Sequence, residues 1–376
     1  MAVIEVEEDL EEKEKTEKDK LLKPWLDKAV PDREPADVCV MTDIHGVSLL
    51  EVAKAVAAVL KSRGIKVKLS DWGKINIPEP TIIFVGTLYT DTLNYLSRFL
   101  PDKNIIFYAI VEGVPIVDPQ ARKIAESLTV ITPSQFSREC VEKAGIHVED
   151  VIRHGIHLNM KVDLNFQKWV KENIIGQNQT QVTLYVAGNQ YRKALDKYLI
   201  ACKVWERVIP EGFAILHSGG APKGLGYEVA PLKASLGLKR LWFTNSFGLL
   251  NHDRVAALYS LCSFYTCPSY CEGFNLPIIE AFNFGKPVIA VDIPPHRELI
   301  DHKRTGILIP YTHTEPLRWM GRLNLELHYY DIDELITAMI MLTEPNLQKH
   351  MAAAAYQERF KYDMFKTYQQ FLKYLR

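Results

Sequence analysis

Two successive series of short apolar runs alternating with amphipathic ones restrict this chain more than any other feature of its 376 residues. In the first series, "DVCVMTD" predicts a buried strand, "SLLEVAKAVAAVLKSRG" an amphipathic helix ended by Gly64, and "IKVKLSD" the next strand. "TIIFVG", "DTLNYLSRFL", "NIIFYAIVEG", "PQARKIAESL", "LTVITP" and "SQFSRECVEKAG" continue the alternation. The second series begins near residue 181 with "QVTLYVAG" and runs through "KALDKYLIACKVWERVI", "FAILHSGG", "YEVAPLKASLG", "RLWFTN", "DRVAALYSLC", "SFYTCPS", "NLPIIEAFNFG", "KPVIAVD" and "GILIP". Strands buried on both faces and joined by helices form parallel sheets covered by helices. The expectation is an α/β chain with two Rossmann-like domains whose sheets face a central cleft, where the strands' carboxyl ends would hold a ligand.

Around these series, residues 1–34 form a charged arm in which Glu11/Lys15 and Glu14/Lys18 have helical spacing. The expected boundaries are 35–165 for the first domain, 166–180 for the linker and 181–356 for the second domain. A net charge of −1 leaves no global field for nucleic acid, and no apolar run is long enough to cross a bilayer. The N-terminus lacks a secretory pattern, so the expected location is the cytoplasm. "KSRGIKVK", with Lys61, Arg63, Lys66 and Lys68, is a candidate for peripheral membrane contact, although the acidic arm would oppose anionic lipid. Homo-oligomerisation stays open. Cys262, Cys267 and Cys271 match no common zinc spacing and read as small buried residues, so no metal is expected.

Chemistry is expected in the loops after the strands. "TDIHGVS" follows the first strand, where Gly46 lets backbone N–H groups approach an oxyanion and His45 adds a donor. No G-x-G-x-x-G follows that strand, which disfavours a dinucleotide cofactor. "VAGNQYRKALD" sets Gly188, Arg192 and Lys193 at a strand-to-helix connection, where two cations would offset a diphosphate. In "PSYCEGFNLPIIEAFNFGKPVIAVD", Glu272 and Glu280 flank a turn that opens a helix, placing carboxylate acceptors beside backbone donors.

The stretch "SLCSFYTCPSYCEGFNLPIIEAFNFGKPVIAVDIPPHRELI" resembles the signature of retaining GT-B glycosyltransferases, the group 1 enzymes of family 4 that include glycogen and sucrose synthases. Glu272, Gly273, Phe274, Leu276, Pro277, Glu280, Ala281, Gly285, Pro287, Val288, Ile289 and Ala290 fit its frame of two glutamates separated by seven residues. Weaker matches are "VITPSQFSRECVEKAGI", "VIRHGIH", "GNQYRKALD" and the closing "YQERFKYDMFKTYQQFLKYLR". The resemblance implies a GT-B fold in which a C-terminal helix, 357–376, crosses back to the first domain. It also implies transfer of a sugar from a nucleotide diphosphate sugar to a hydroxyl acceptor with retention of configuration. The donor would be a UDP- or GDP-sugar, with no tightly bound cofactor, and the acceptor a lipid, polysaccharide, protein or small molecule.

Carried over by residue, Glu280 would accept from the ribose, while Glu272 and the backbone at Phe274, Asn275 and Leu276 would hold the sugar and phosphate. Arg192 and Lys193 would sit on the diphosphate, Gly46 beside it, and Ser246 and Phe247 at the base. Three departures stand out. Asn275 replaces a glycine, implying a tighter turn or an extra hydrogen bond to the sugar. Glu112 in "VEGVP" stands near the place of a family histidine and is expected in the cleft, positioning a donor or acceptor hydroxyl. "YTHTEPLRWMGRLNLELHYY" interrupts a usually short passage, as a lid, an acceptor surface or a self-association element. A nucleotide-sugar epimerase or a phosphorylase on the same fold, or a non-catalytic sugar-nucleotide-binding protein, is the alternative reading.

Overall fold

A computed structural model describes residues 36–44, 46–74, 76–220 and 225–375. The charged arm at 1–34 and His45 lie outside the described residues. In the first half, β1 (Val38–Thr42), β2 (Val67–Asp71), β3 (Thr81–Gly86), β4 (Asn104–Ala109), β5 (Val114–Pro115), β6 (Thr129–Thr132) and β7 (Asp150–Val151) follow in order. All but β5 join one parallel sheet in the order β2-β1-β3-β4-β6-β7. β1 and β3 are buried along their whole length, as their near-continuous apolar runs require. The helix Val47–Ser62 turns Leu50, Ala53, Val56, Ala57 and Leu60 inward at helical spacing and stops at Gly64, whose φ is +83°. Each such Val or Leu taken from water contributes about 1.5–3 kcal/mol before chain entropy is counted.

The second parallel sheet contains β8 (Gln181–Val186), β9 (Gly212–His217), β10 (Leu241–Phe243), β11 (Phe264–Cys267), β12 (Val288–Val291) and β13 (Gly306–Ile309). Their order is β10-β9-β8-β11-β12-β13. The stretch expected as a linker is partly helical, over Leu164–Val170 with a wider turn at Lys171–Ile175. All six cysteines are buried and free.

The insertion after β13 is a β-hairpin, β14 (Tyr311–Trp319) and β15 (Leu323–Tyr330). β15 also pairs antiparallel with β5, so a three-stranded sheet joins the two halves of the molecule. Ile116 donates its N–H to the Arg322 carbonyl at 2.8 Å, and the Arg322 side chain lies over the Tyr89 ring and bonds Asp91 at 2.8 Å.

The closing segment crosses back to the first sheet, but the single helix expected over 357–376 is broken. A helix over Pro345–Glu358 gives way to a tight turn at Arg359–Tyr362, a short helix at Met364–Thr367 and 3-10 turns at Tyr368–Tyr374. The break falls at Asp363, whose extended backbone bridges to Ile156 and whose carboxylate caps the next turn through the Phe365 N–H. Beyond it, Met364, Tyr368 and Phe371 enter the core of the first sheet beside Val38, Val40, Ile83 and Ile106.

Candidate active site

A cleft of about 510 Å³ lies between the carboxyl ends of the two sheets. Its walls come from the loops after β1, β4, β7, β8, β9, β10 and β11, so strand order in both halves decides which side chains meet. Gly46, Glu112, Gly188, Arg192, Lys193, Ser246, Phe247, Glu272, Gly273, Phe274, Asn275 and Leu276 all line it.

At its centre stand four charged groups. Lys193 Nζ donates to both oxygens of Glu272 at 2.7 Å, and Arg192 NH1 lies 3.4 Å from Glu272 Oε2. The other face of the Arg192 guanidinium pairs with Glu112. Glu112 and Glu272 therefore approach Arg192 from different halves of the protein. Burial alone would raise the Glu272 pKa, but the Lys193 and Arg192 charges outweigh it and hold the carboxyl at about 2. Burial would likewise weaken the Arg192 cation, and the Glu112 and Glu272 charges reverse that. The four formal charges sum to zero.

The turn after β11 is shaped by close approach. Gly273 packs where an added Cβ would lie 2.3 Å from the Val111 carbonyl oxygen, so only glycine lets the halves meet there. Ser134 Oγ and Ser137 Oγ both donate to the Gly273 carbonyl, at 2.9 and 3.3 Å. Asn275 then takes φ +83°, the left-handed conformation that glycine adopts freely and asparagine tolerates. Its side chain does not reach toward a sugar. Nδ2 lies 3.0 Å from His296 Nε2 and 3.0 Å from Cys267 Sγ, so the expectation of an extra donor in the cleft is corrected: the amide is used within the protein. The helix Leu276–Asn283, with proline in its first turn, presents its N-terminus to the cleft through Leu276 and Pro277.

Glu280 lies one turn further along this helix and is not among the cleft-lining residues. It accepts from the Tyr259 hydroxyl at 2.8 Å, and burial raises its pKa. Nearby, His252 of the second half pairs with Glu51 on the first half's helix Val47–Ser62. That hydrogen bond raises the His252 pKa; for Glu51, burial pushes the pKa up and the His252 bond and charge bring it down overall.

Several cleft residues were not singled out from the sequence. Asn189 braces two loops, donating to the carbonyls of Gly219 and Tyr227 while accepting from the Tyr227 N–H. His154, after β7, is 2% exposed yet lines the cleft, its ring edge-on to Phe274 with centroids 4.8 Å apart. Only its place at the end of a strand in "VIRHGIH" could have flagged it. Among the described residues, no group of three or more potential ligating side chains could hold a metal.

Residues 181–318 match the family model described as group 1 glycosyl transferases. The chain is 22% identical over 355 residues to the uncharacterized glycosyltransferase 335 of Sulfolobus islandicus rod-shaped virus 1, covering 87% of this chain and 97% of that protein. It is 28% identical over 204 residues to the putative glycosyltransferase 63 of a Sulfolobus islandicus filamentous virus, covering 53% of this chain and 64% of that one. Against the Streptococcus agalactiae GtfA subunit of UDP-N-acetylglucosamine–peptide N-acetylglucosaminyltransferase, 31% identity spans 22% of the relative's length. Among solved structures, sucrose-phosphate synthase of Thermosynechococcus elongatus superposes with a TM-score of 0.69 at 16% identity, over 91% of this chain and 98% of that one. Anabaena HepE, in complex with UDP and glucose, gives 0.66 at 17% identity, over 89% and 98%. The two solved structures share this chain's fold, and the segment matched by the family model holds Arg192, Lys193, Glu272 and Glu280. Residues 181–318 thus match a group 1 glycosyl transferase domain, and the chain as a whole shares the GT-B fold of these solved structures.

Proposed function

We propose that the chain transfers a sugar from a UDP-sugar to a hydroxyl acceptor with retention of anomeric configuration. One observation carries this reading: Arg192, Lys193 and Glu272 converge beside the N-terminus of the helix Leu276–Asn283, inside a cleft walled by both sheets. A diphosphate requires cations and N–H donors, whereas a sugar's hydroxyls require acceptors, and this cluster supplies both. Uridine is favoured over guanosine because HepE was solved with UDP and with UDP-glucose, and pneumococcal GtfA with UDP and GlcNAc.

In this reading the incoming diphosphate takes the face of Arg192 that Glu112 holds in the free protein, and Glu112 turns to the hydroxyls. Glu272, whose carboxyl Lys193 and Arg192 hold below the usual carboxylate range, accepts from the transferred sugar. Glu280 and the backbone near Gly46 serve the ribose and phosphate, while Ser246 and Phe247 serve the base. The bond from the anomeric carbon to the phosphate oxygen breaks as the acceptor oxygen bonds on the same face, and the acceptor's proton passes to the departing phosphate. No protein nucleophile is required; the side chains bind and polarise.

Thermal denaturation with uridine, guanosine, adenosine and thymidine diphosphates and their sugars tests this on wild type, Lys193→Ala and Glu280→Ala. Uridine compounds are expected to stabilise the wild type and not the variants. No shift with any nucleotide overturns the reading in favour of a non-catalytic scaffold, and a new sugar nucleotide made from the donor alone would mark an epimerase.

A further inference from the structure

On the cleft wall, the hydrogen bonds around the His154 ring fix its tautomer. Tyr108 has a single hydroxyl proton, and the Ile152 carbonyl lies 2.6 Å from its oxygen, so that proton goes to Ile152. The same oxygen lies 2.9 Å from His154 Nδ1. With its proton spent, Tyr108 can only accept there, and Nδ1 must carry the hydrogen. Tyr368, 3.4 Å from Nδ1 on the crossing C-terminal segment, flanks the same edge of the ring. His154 is therefore the Nδ1-protonated neutral tautomer, and Nε2 holds a bare lone pair.

Nε2 has no hydrogen-bond partner among the described residues, and it is not among the polar atoms that are both sealed from solvent and unpaired. His154 is buried yet lines the cleft, and with Nδ1 turned to Tyr108 the opposite edge of the ring is the one left to meet it. The Phe274 ring packs edge-on against it, and Val52 and Ile110 are further apolar residues of the cleft lining. Burial depresses the imidazole pKa to about 3, which keeps it neutral. A rigid neutral acceptor beside the Phe274 ring suits a hydroxyl hydrogen and has nothing to offer a phosphate oxygen. Phe274 belongs to the turn assigned above to the transferred sugar, and His154 is braced on its ring.

Resting on that reading, we infer that His154 Nε2 accepts a hydrogen bond from a hydroxyl of the transferred sugar and so helps decide which nucleotide sugars bind. It touches neither the base nor the diphosphate. The lone pair selects for a hydroxyl in one orientation, and a deoxy sugar at that position would leave it unsatisfied.

Calorimetric titration of UDP and of UDP-glucose tests this on wild type, His154→Phe and His154→Asn. UDP affinity is expected to stay within about twofold in all three, while His154→Phe weakens UDP-glucose about tenfold or more and His154→Asn, which keeps an acceptor, recovers part of the loss. Equal weakening of UDP and UDP-glucose would make His154 a structural brace, and unchanged UDP-glucose affinity would also overturn the inference. Nitrogen-15 spectra of the full chain add a readout independent of binding: the inference requires an Nδ1-protonated ring, and an Nε2-protonated one refutes it. If the wild type binds neither UDP nor UDP-glucose but binds another nucleotide sugar, the choice of uridine fails and the titration moves to that donor and its diphosphate. Binding of no nucleotide at all removes both readings together.

Discussion

Glu112→Gln isolates the competition between a protein carboxylate and the donor's diphosphate. In the free protein Arg192 pairs with Glu112, and the central cluster sums to zero. The amide keeps an oxygen that can accept from Arg192 but removes one negative charge, leaving the cluster at +1. A diphosphate that takes Glu112's place on the guanidinium would sit roughly 7 Å from the displaced carboxylate whose charge the amide removes. At an effective dielectric of about 40 each phosphate charge then gains about 1.2 kcal/mol. Two such charges give about 2 kcal/mol, a tightening of UDP binding by about tenfold to thirtyfold. The free protein should lose stability. Breaking a fully buried pair costs about 3–5 kcal/mol, but Glu112 is 27% exposed and glutamine keeps the hydrogen bond, so about 1–2 kcal/mol is expected here. Titration calorimetry at low and high salt, with thermal denaturation alongside, would show a lower Tm, tighter UDP binding at low salt and a smaller gain at high salt. Transfer should fall because Glu112 can no longer serve the hydroxyls. Unchanged or weaker UDP binding in a folded Glu112→Gln protein would refute the argument, since the anion would then not meet this cluster.

Other substitutions probe the remaining walls. Burial raises the Glu280 pKa, so its stabilising contribution is present below the ordinary carboxyl value and is lost as pH rises through the raised one. Glu280→Gln should raise Tm at pH 7 by about 1 °C while weakening UDP at least about tenfold, and a lower Tm would contradict the sign. The His252–Glu51 bridge works the other way: the His252 contribution is present below its ordinary value of 6.5 and lost as pH rises through its raised one, while that of Glu51 is present above 4.5 and lost as pH falls through its lowered one. With His252 half exposed, wild type minus His252→Gln should show a Tm advantage of about 1–2 °C near pH 6 that fades by about pH 9, and a flat difference would exclude the bridge. Gly273→Ala sets a methyl group against the Val111 carbonyl, costing about 1–3 kcal/mol and forcing the halves apart. Scattering should then report a wider molecule and assays a loss of turnover; full activity would mean the contact is dispensable.

How much the sequence revealed followed the physics of each segment. Central strands such as "TIIFVG" are uniformly apolar because both faces are covered, and the turn around Glu272 is recognisable because a polar pocket at a helix start needs a narrow set of residues. The hairpin gave a weaker signal, in its second strand alone, where buried Leu323, Leu325 and Leu327 alternate with exposed Asn324 and Glu326. Its turn uses Met320 and Gly321, both at positive φ, where asparagine-glycine would be the readable pair, and β14 is largely exposed, so it lacks the alternation that marks a half-buried strand. Asn275 was visible as a glycine substitute, but the destination of its amide depended on His296, twenty-one residues away in the chain. His154 owes its character to Tyr108 and Tyr368, which are local to it only in the folded protein.

The three-stranded sheet of β5, β15 and β14 makes the cleft asymmetric. It follows β13 at one edge of the second sheet, where main-chain hydrogen bonds and the Arg322 contacts bind the two halves like a sewn spine. His252 follows β10 at the opposite edge, where the His252–Glu51 side-chain pair meets across the gap. Main-chain pairs part together or not at all, whereas a histidine–carboxylate pair parts singly and responds to pH. A nucleotide leaving this cleft thus has a hinged side and a gate side, and in the proposed reading the base and ribose lie next to the gate.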